Sequence, residues 1–247
     1  MFGGTKSLKH TFSRRGVYAT PDPRKAHGTE DAFFATDDAL AVADGVGGWG
    51  SKGVNAGIFA RSIMSGAMEF VKEQPEGSNV TALALLNAGY QHVLSKEIPG
   101  SCPVVACSLI NGGKNMSINN LGDCAILVLR NGSVVYRSNE GQHYFNCPFQ
   151  LSSKVGRDTP SKGEMGEIGV KDGDVVVLAS DGVFDNIEDE VAIDIIKKHT
   201  NMSAEWKCAT VAEEIGFEAV KASKLTSGLV PFGRRSVEQT GKRFEGG

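Results

Sequence analysis

The sequence has no Cys-x-x-Cys pair, no long apolar run and no excess of basic charge, and each absence excludes a class of protein. Its five cysteines, Cys102, Cys107, Cys124, Cys147 and Cys208, are odd in number and scattered. That fits free thiols in a reducing compartment rather than a disulfide framework or a zinc site. On this reading the Asn-x-Ser/Thr triplets, Asn131-Gly132-Ser133 among them, carry no weight as glycosylation sites. No apolar stretch approaches the roughly 18 residues that span a bilayer. A net charge of -3 and a pI near 6.0 lack the basic footprint of nucleic-acid or membrane-surface binding. Acid is missing from Met1 to Pro21, where Lys6, Lys9, Arg14 and Arg15 sit among serines and threonines. A short organellar leader and a basic first strand explain that stretch equally well.

What is present is enough for one globular domain: 247 residues, 40% hydrophobic and 22% charged. Residues 15–19 read as a first strand. "DAFFATDDALAVADG" reads as two short strands about a turn at Asp37-Asp38. The glycine-rich "GVGGWGSKG" then opens onto a helix, with Val54, Ile58, Phe59, Ile63, Met64, Ala67, Met68 and Val71 at intervals of three and four. A second helix is predicted from an N-cap at Asn79 to Lys96, with Leu83, Leu86, Tyr90 and Leu94 on its packed side. The period then shortens. "CPVVACSLI", "MSINNLGD", "AILVLR" and "SVVYRS" read as an antiparallel meander with turns at Asn111-Gly112-Gly113 and Asn131-Gly132. Residues 139–169 form a long irregular connection, a length more often functional than idle. "DGDVVVLAS" follows as a buried strand, then helices near 188–199 and 203–222. This order of strands and helices gives an α+β fold, not a βαβ alternation.

Two apolar strands, "LAVADG" and "VVLASDG", end on Asp-Gly: Asp44-Gly45 and Asp181-Gly182. A single Asp-Gly is a turn. These two lead toward helices instead of returning as hairpins, and each sets a carboxylate at the mouth of the core, where an unpaired charge is costly. A hard divalent cation removes that cost, since Mg²⁺ and Mn²⁺ prefer carboxylate, carbonyl and water oxygen. Glu30-Asp31 before "AFF", Asp123 in "NNLGDCA" and Asp185 one helical turn after Asp181 extend the set.

"EDAFF", "VADGVGGWG", "NNLGDCAILV" and "VLASDGVFDN", in that order, resemble the metal-dependent serine/threonine protein phosphatases of the PPM, or type 2C, family. "EGQHYFNCPFQLS" resembles its small mitochondrial branch, which implies the mitochondrial matrix, with the cytoplasm as alternative. The resemblance implies a sandwich of two antiparallel β-sheets flanked by helices on both faces. It implies Mn²⁺ or Mg²⁺ as cofactor, two ions with a third, weaker one. Asp44 would bridge the pair, Gly45 would lend its carbonyl, and Asp181 would bind the second ion. Glu30 and Asp31 would hold metal-bound waters, while Asp123 and Asp185 match positions of the third ion. A bridging water activated by both ions would then hydrolyse phosphomonoesters of phosphoserine and phosphothreonine proteins. A monomer without nucleic-acid or membrane-spanning partners is expected.

Three departures from the family pattern stand out. A histidine follows the first Asp-Gly in better-known members as a proton donor; here Val46 stands there, leaving His27 or His143 as substitutes, with His143 also reading as a structural residue of its loop. The family's phosphate-gripping arginine has no match, so Lys25 and His27 are the candidates nearby. The family also runs on into a strand bearing Asp-Asp-Ile-Thr, whereas this chain stops at Arg243-Phe244-Glu245-Gly246-Gly247. The chain is accordingly read as one PPM-type domain over 1–247, shortened at its C-terminal end. Low activity with a high Mn²⁺ requirement is expected, with a catalytically impaired phosphoprotein-binding relative as the alternative reading. One decoy is set aside: "CAILVLR" fits Cys-x5-Arg, but its apolar middle makes a strand, not a phosphate-wrapping loop.

Overall fold

The computed structural model describes residues 10–21, 28–75, 77–154, 158–202, 205–225 and 230–243. β1 (Ala32–Ala35) and β2 (Ala39–Ala43) are followed by a 3-10 turn at Gly47–Lys52, then α1 (Ala56–Glu73) and α2 (Ala82–Ser95). β3 (Ser101–Cys102), β4 (Val104–Ile110), β5 (Asn115–Leu121), β6 (Ala125–Arg130) and β7 (Ser133–Arg137) come next. The irregular segment carries β8 (Gln142–Tyr144), β9 (Cys147–Pro148) and β10 (Leu151–Ser152), and β11 (Glu164–Gly169) and β12 (Val175–Ala179) close the strands. Four helices end the chain: α3 (Asp181–Phe184), α4 (Asp189–Met202), α5 (Cys208–Ser223) and α6 (Pro231–Thr240).

Two antiparallel sheets are stacked. One has the order β1-β2-β4-β5-β11 and the other β12-β6-β7. β4 and β6 are apolar on both faces because each face meets a different core. Val104 and Ala106 of β4 pack outward with Phe59, Ile63, Leu85 and Leu86 of α1 and α2. Val105, Cys107 and Leu109 face inward to Ile126 and Val128 of β6. Leu127 and Leu129 of β6 point to the opposite outer layer, against Ile195, Ile196, Val211 and Ile215 of α4 and α5. Helices therefore cover both outer faces, the four-layer α+β sandwich that the resemblance implied. Tyr90 of α2 is tied to the rim by a hydroxyl donating to the Ser152 carbonyl at 2.8 Å. Tyr90→Phe is expected to cost about 1–2 kcal/mol by leaving that buried carbonyl short of a partner, as read from urea denaturation midpoints.

Several expectations are corrected. The four strands of the supposed meander do not share one sheet: β5 pairs with β4 and β11, whereas β6 pairs with β7 and β12. The chain changes sheets at Gly122, whose φ of 107° is open to glycine. Residues 15–19 are not a strand but pass along α5, where Tyr18 packs so closely on Gly216 that no side chain fits there. The N-cap of α2 is Thr81, which accepts from the Ala84 amide, while Asn79 instead accepts from the Asn111 amide. α2 packs through Leu85, Leu86, Gly89, Tyr90 and Val93, leaving Leu94 exposed. β12 is only half-buried, because it pairs with β6 alone among the described residues and borders an open channel of about 1620 Å³ between the two sheets. Residues 244–247, where the chain was expected to be shortened, lie outside the described residues.

Candidate functional site

Strand register brings the acids together. Ala32 pairs with Ala43, so Asp31 and Asp44, one residue beyond, leave the first sheet side by side. Ala179 pairs with Ala125 in the second sheet, which sets Ser180-Asp181 across from Asp123-Cys124. Asp44 is clamped where β2 ends, its amide donating to the Pro103 carbonyl at 3.0 Å and the Val46 amide to the Ser101 carbonyl at 3.0 Å. Those two bonds explain why this Asp-Gly does not turn back as a hairpin. Across the sandwich, the Ser180 hydroxyl donates to Asp31 Oδ2 at 2.9 Å and ties the two sheets at this point. Asp185 follows Asp181 by one helical turn, its amide donating to the Asp181 carbonyl at 2.8 Å.

The result is a half-buried cluster of carboxyls. Burial pushes the Asp44 carboxyl well above the usual range, and Asp181 and Asp31 push it further; Asp181 is near enough to share a hydrogen bond with it. Asp123 is pushed up to about 8 by burial and then by Asp181. Asp185 is pushed up to about 7 by burial and Asp181, against the pull of Arg235. One oxygen of Asp123 is buried with no hydrogen-bond partner. The Cys124 thiol, wholly buried beside these acids, is pushed up first by burial and then by Asp44, so it offers neither thiolate ligand nor nucleophile. The Cys-x5-Arg decoy fails for a second reason: Arg130 is committed to Asp174 at 2.7 and 2.8 Å.

Among the described residues no three His, Cys, Asp or Glu side chains form a ready-made metal cage. The donors nevertheless fit a hard divalent ion: they are carboxylate and carbonyl oxygens, desolvated, mutually repelling and short of countercharge. Gly45 supplies close approach. A Cβ there would stand 2.5 Å from the Glu30 carbonyl oxygen and 2.9 Å from the Ala56 carbonyl group. Glu30, at the start of β1, is thus packed against the Asp44-Gly45 main chain.

The linkage has a definite sign. Carboxyls raised to about 7 and 8 bind protons in the folded, metal-free state that the unfolded chain has released. The metal-free fold should therefore lose stability as pH rises from about 4, where the unfolded carboxyls ionise, to about 8, and change little above that, the opposite of an ion-paired aspartate. Melting temperatures of the metal-depleted protein are expected to fall between about pH 5 and 8, to level off above about 8, and to recover when Mn²⁺ is added. A flat or rising metal-free profile between about pH 5 and 8 would contradict the assignment.

The structure thus brings Asp31, Asp44, Asp123, Asp181 and Asp185 into one cluster, with Glu30 beside it. Lys25 and His27 lie outside the described residues. His143 is a structural residue, its Nε2 bonded to Asp158 at 2.9 Å. Three participants carried no signal in the sequence: Ser180, Glu140 and Arg235. Glu140 and Arg235 belong to segments far apart in the chain and meet only through the packing of α6. α6 is partly a buried contact, since Pro231, Gly233 and Ser236 are covered and its Arg235 pairs with Asp185.

Comparison with known proteins agrees with this geometry. The sequence matches the SpoIIE (Stage II sporulation protein E) family over residues 36–220. It is 36% identical over 248 aligned residues to the probable protein phosphatase 2C 80 of Arabidopsis thaliana, covering 98% of this chain and 58% of that protein. The fold superposes on the X-ray structure of the photosystem II phosphatase PBCP with a TM-score of 0.82 at 30% identity, over 94% of this chain and 92% of that one. It also matches, as a fold alone, the catalytic domain of the serine/threonine phosphatase PstP in complex with two manganese ions, with a TM-score of 0.62 at 17% identity over 86% and 90% of the two chains. The chain belongs to the PPM, or type 2C, protein phosphatase family. It spans about half the length of the first curated relatives it matches. No helix of the described residues is long and apolar enough to cross a membrane.

Proposed function

We propose that the chain is a single PPM-type domain acting as a Mn²⁺- or Mg²⁺-dependent serine/threonine protein phosphatase. The observation that carries this reading is the half-buried carboxylate cluster in which Asp44 and Asp181 meet from different sheets. When bound, two divalent ions lower the pKa of water toward neutrality and offset the negative charge of a phosphate ester. Asp44 and Asp181 would hold them from opposite sheets, and the Gly45 carbonyl would add an uncharged oxygen. Glu30 and Asp31 would orient water by accepting its hydrogens, with Ser180 fixing the rotamer of Asp31. Asp123 and Asp185 are the acids that a third, weaker ion would need, and Asp185 is already paired with Arg235. Val46 has no proton to give a leaving oxygen, so water takes that part. The PstP complex with two manganese ions supports the metal count by analogy of fold.

A phosphoprotein substrate follows from the family, and placement in the mitochondrial matrix from the branch resemblance. The test is turnover of p-nitrophenyl phosphate and a phosphothreonine peptide by metal-depleted protein with and without Mn²⁺. Metal-dependent turnover that Asp181→Asn removes is expected. A well-folded protein without turnover in millimolar Mn²⁺ would instead support the impaired, phosphoprotein-binding reading.

A further inference from the structure

Arg235, on α6, sits with its guanidinium inside the acid cluster. It pairs with Asp185, and its Nη2 lies 3.6 Å from Glu140 Oε1. The placement is built rather than incidental. The Phe232 amide donates to the Asp185 carbonyl at 3.0 Å, and the Phe232 ring packs on Phe145, next to β8, with centroids 5.3 Å apart. Arg234 pairs with Glu188, the residue before α4. α6 is thus fastened both to α3 and to the irregular segment, which holds the base of Arg235 beside these acids. Asp185 and Glu140 flank the guanidinium, and these two in turn act electrostatically on Asp123, with Asp181 acting on both Asp123 and Asp185. One oxygen of Asp123 still has no hydrogen-bond partner.

We propose that Arg235 is a built-in cation that holds Asp185 and Glu140 in the place otherwise open to a third divalent ion, so that this chain carries two exchangeable ions and not three. The inference rests on the proposed function, in which these acids hold metal. A guanidinium is charged at every working pH and binds carboxylate through fixed, directional donors. Its tether keeps it at a local concentration on the order of millimolar or above. An incoming ion must displace it and also shed water, which Mg²⁺ does reluctantly.

The test counts Mn²⁺ bound to the full, metal-depleted chain by electron paramagnetic resonance, up to millimolar Mn²⁺. Two ions are expected on the wild type. Arg235→Gln is expected to gain a third site, filled at roughly tenfold lower Mn²⁺ than any further binding to the wild type. Arg235→Met, which keeps the aliphatic stem in place, should behave as Arg235→Gln does, and Arg235→Lys should stay at two. Adding Asp185→Asn to Arg235→Gln should remove the gained site and locate it. Two ions on wild type and on both uncharged variants would overturn the inference and leave the proposed function standing. Three on the wild type would overturn it as well. No bound Mn²⁺ on any protein would overturn the inference and the proposed function together.

Discussion

Asp44→Asn is expected to cut phosphatase turnover by about a thousandfold, the upper end of what losing one preorganised electrostatic group costs. The same change is expected to raise the melting temperature of the metal-free protein. The two effects have one cause. Asp44 is half-buried at the junction of both sheets, where loss of water raises its carboxyl and Asp181 and Asp31 raise it further. An amide in its place keeps the shape and removes the cost of protonating, on folding, a carboxyl that is ionised in the unfolded chain. For a chain of this size, each kcal/mol gained moves the midpoint by about 2–4 °C. Mn²⁺ should then stabilise the wild type but not the variant, because ligands stabilise only the state that binds them. Calorimetry in EDTA and in Mn²⁺, alongside turnover, reads both signs. A structural aspartate whose job is an ion pair would give the opposite result in EDTA, a lower midpoint.

Gly45→Ala is the second large expectation, and it acts through main chain. The added methyl would meet the Glu30 carbonyl oxygen at 2.5 Å and the Ala56 carbonyl at 2.9 Å, none of which is a flexible side chain that can swing aside. Something in the frame must move: the end of β2, the start of β1 or the first turn of α1. Overpacking of this kind costs about 1–3 kcal/mol. The functional cost should be larger than the stability cost. Glu30, Gly45 and Asp44 shift together, and a misplacement of about 1 Å at a reacting centre can cost on the order of a hundredfold in rate. Turnover and Mn²⁺ affinity are expected to fall together while the protein remains folded by circular dichroism. A variant with wild-type affinity and rate would show that the tight contact at Gly45 is packing and nothing more.

The layered fold was legible in the sequence wherever periodicity reports burial. α1 buries Phe59, Ile63, Met64 and Ala67 as their spacing predicts, and β1 and β2 pair about Asp37-Asp38. Partner choice was less legible. "MSINNLGD" and "AILVLR" read equally well as neighbours in one sheet, because strand propensity states that a segment is extended and not which edge it joins. The crossing at Gly122 sends them to different sheets, and this crossing is what delivers Asp123 to the site. Residues 15–19 fail as a strand although Val17 and Tyr18 favour one, since their contacts are with α5 and not with a sheet edge.

Asp31, Asp44, Asp123 and Asp181 were legible because each lies within two residues of a strand end, and Asp185 because it falls one helical turn after Asp181. Glu140 and Arg235 had no such signal. They lie in a loop and a short helix far apart in the chain, and only the docking of Phe232 on Asp185 and Phe145 brings them to one place.

Everything proposed for this chain depends on Asp44 and Asp181, supplied by different sheets, holding divalent ions between them. Crystals grown with Mn²⁺ and measured at the manganese absorption edge test that directly. Two anomalous peaks in contact with the carboxylates of Asp44 and Asp181 are expected, and both should vanish in Asp44→Asn/Asp181→Asn. Manganese bound only elsewhere on a folded chain, or no peak at the junction of the two sheets, would contradict the account.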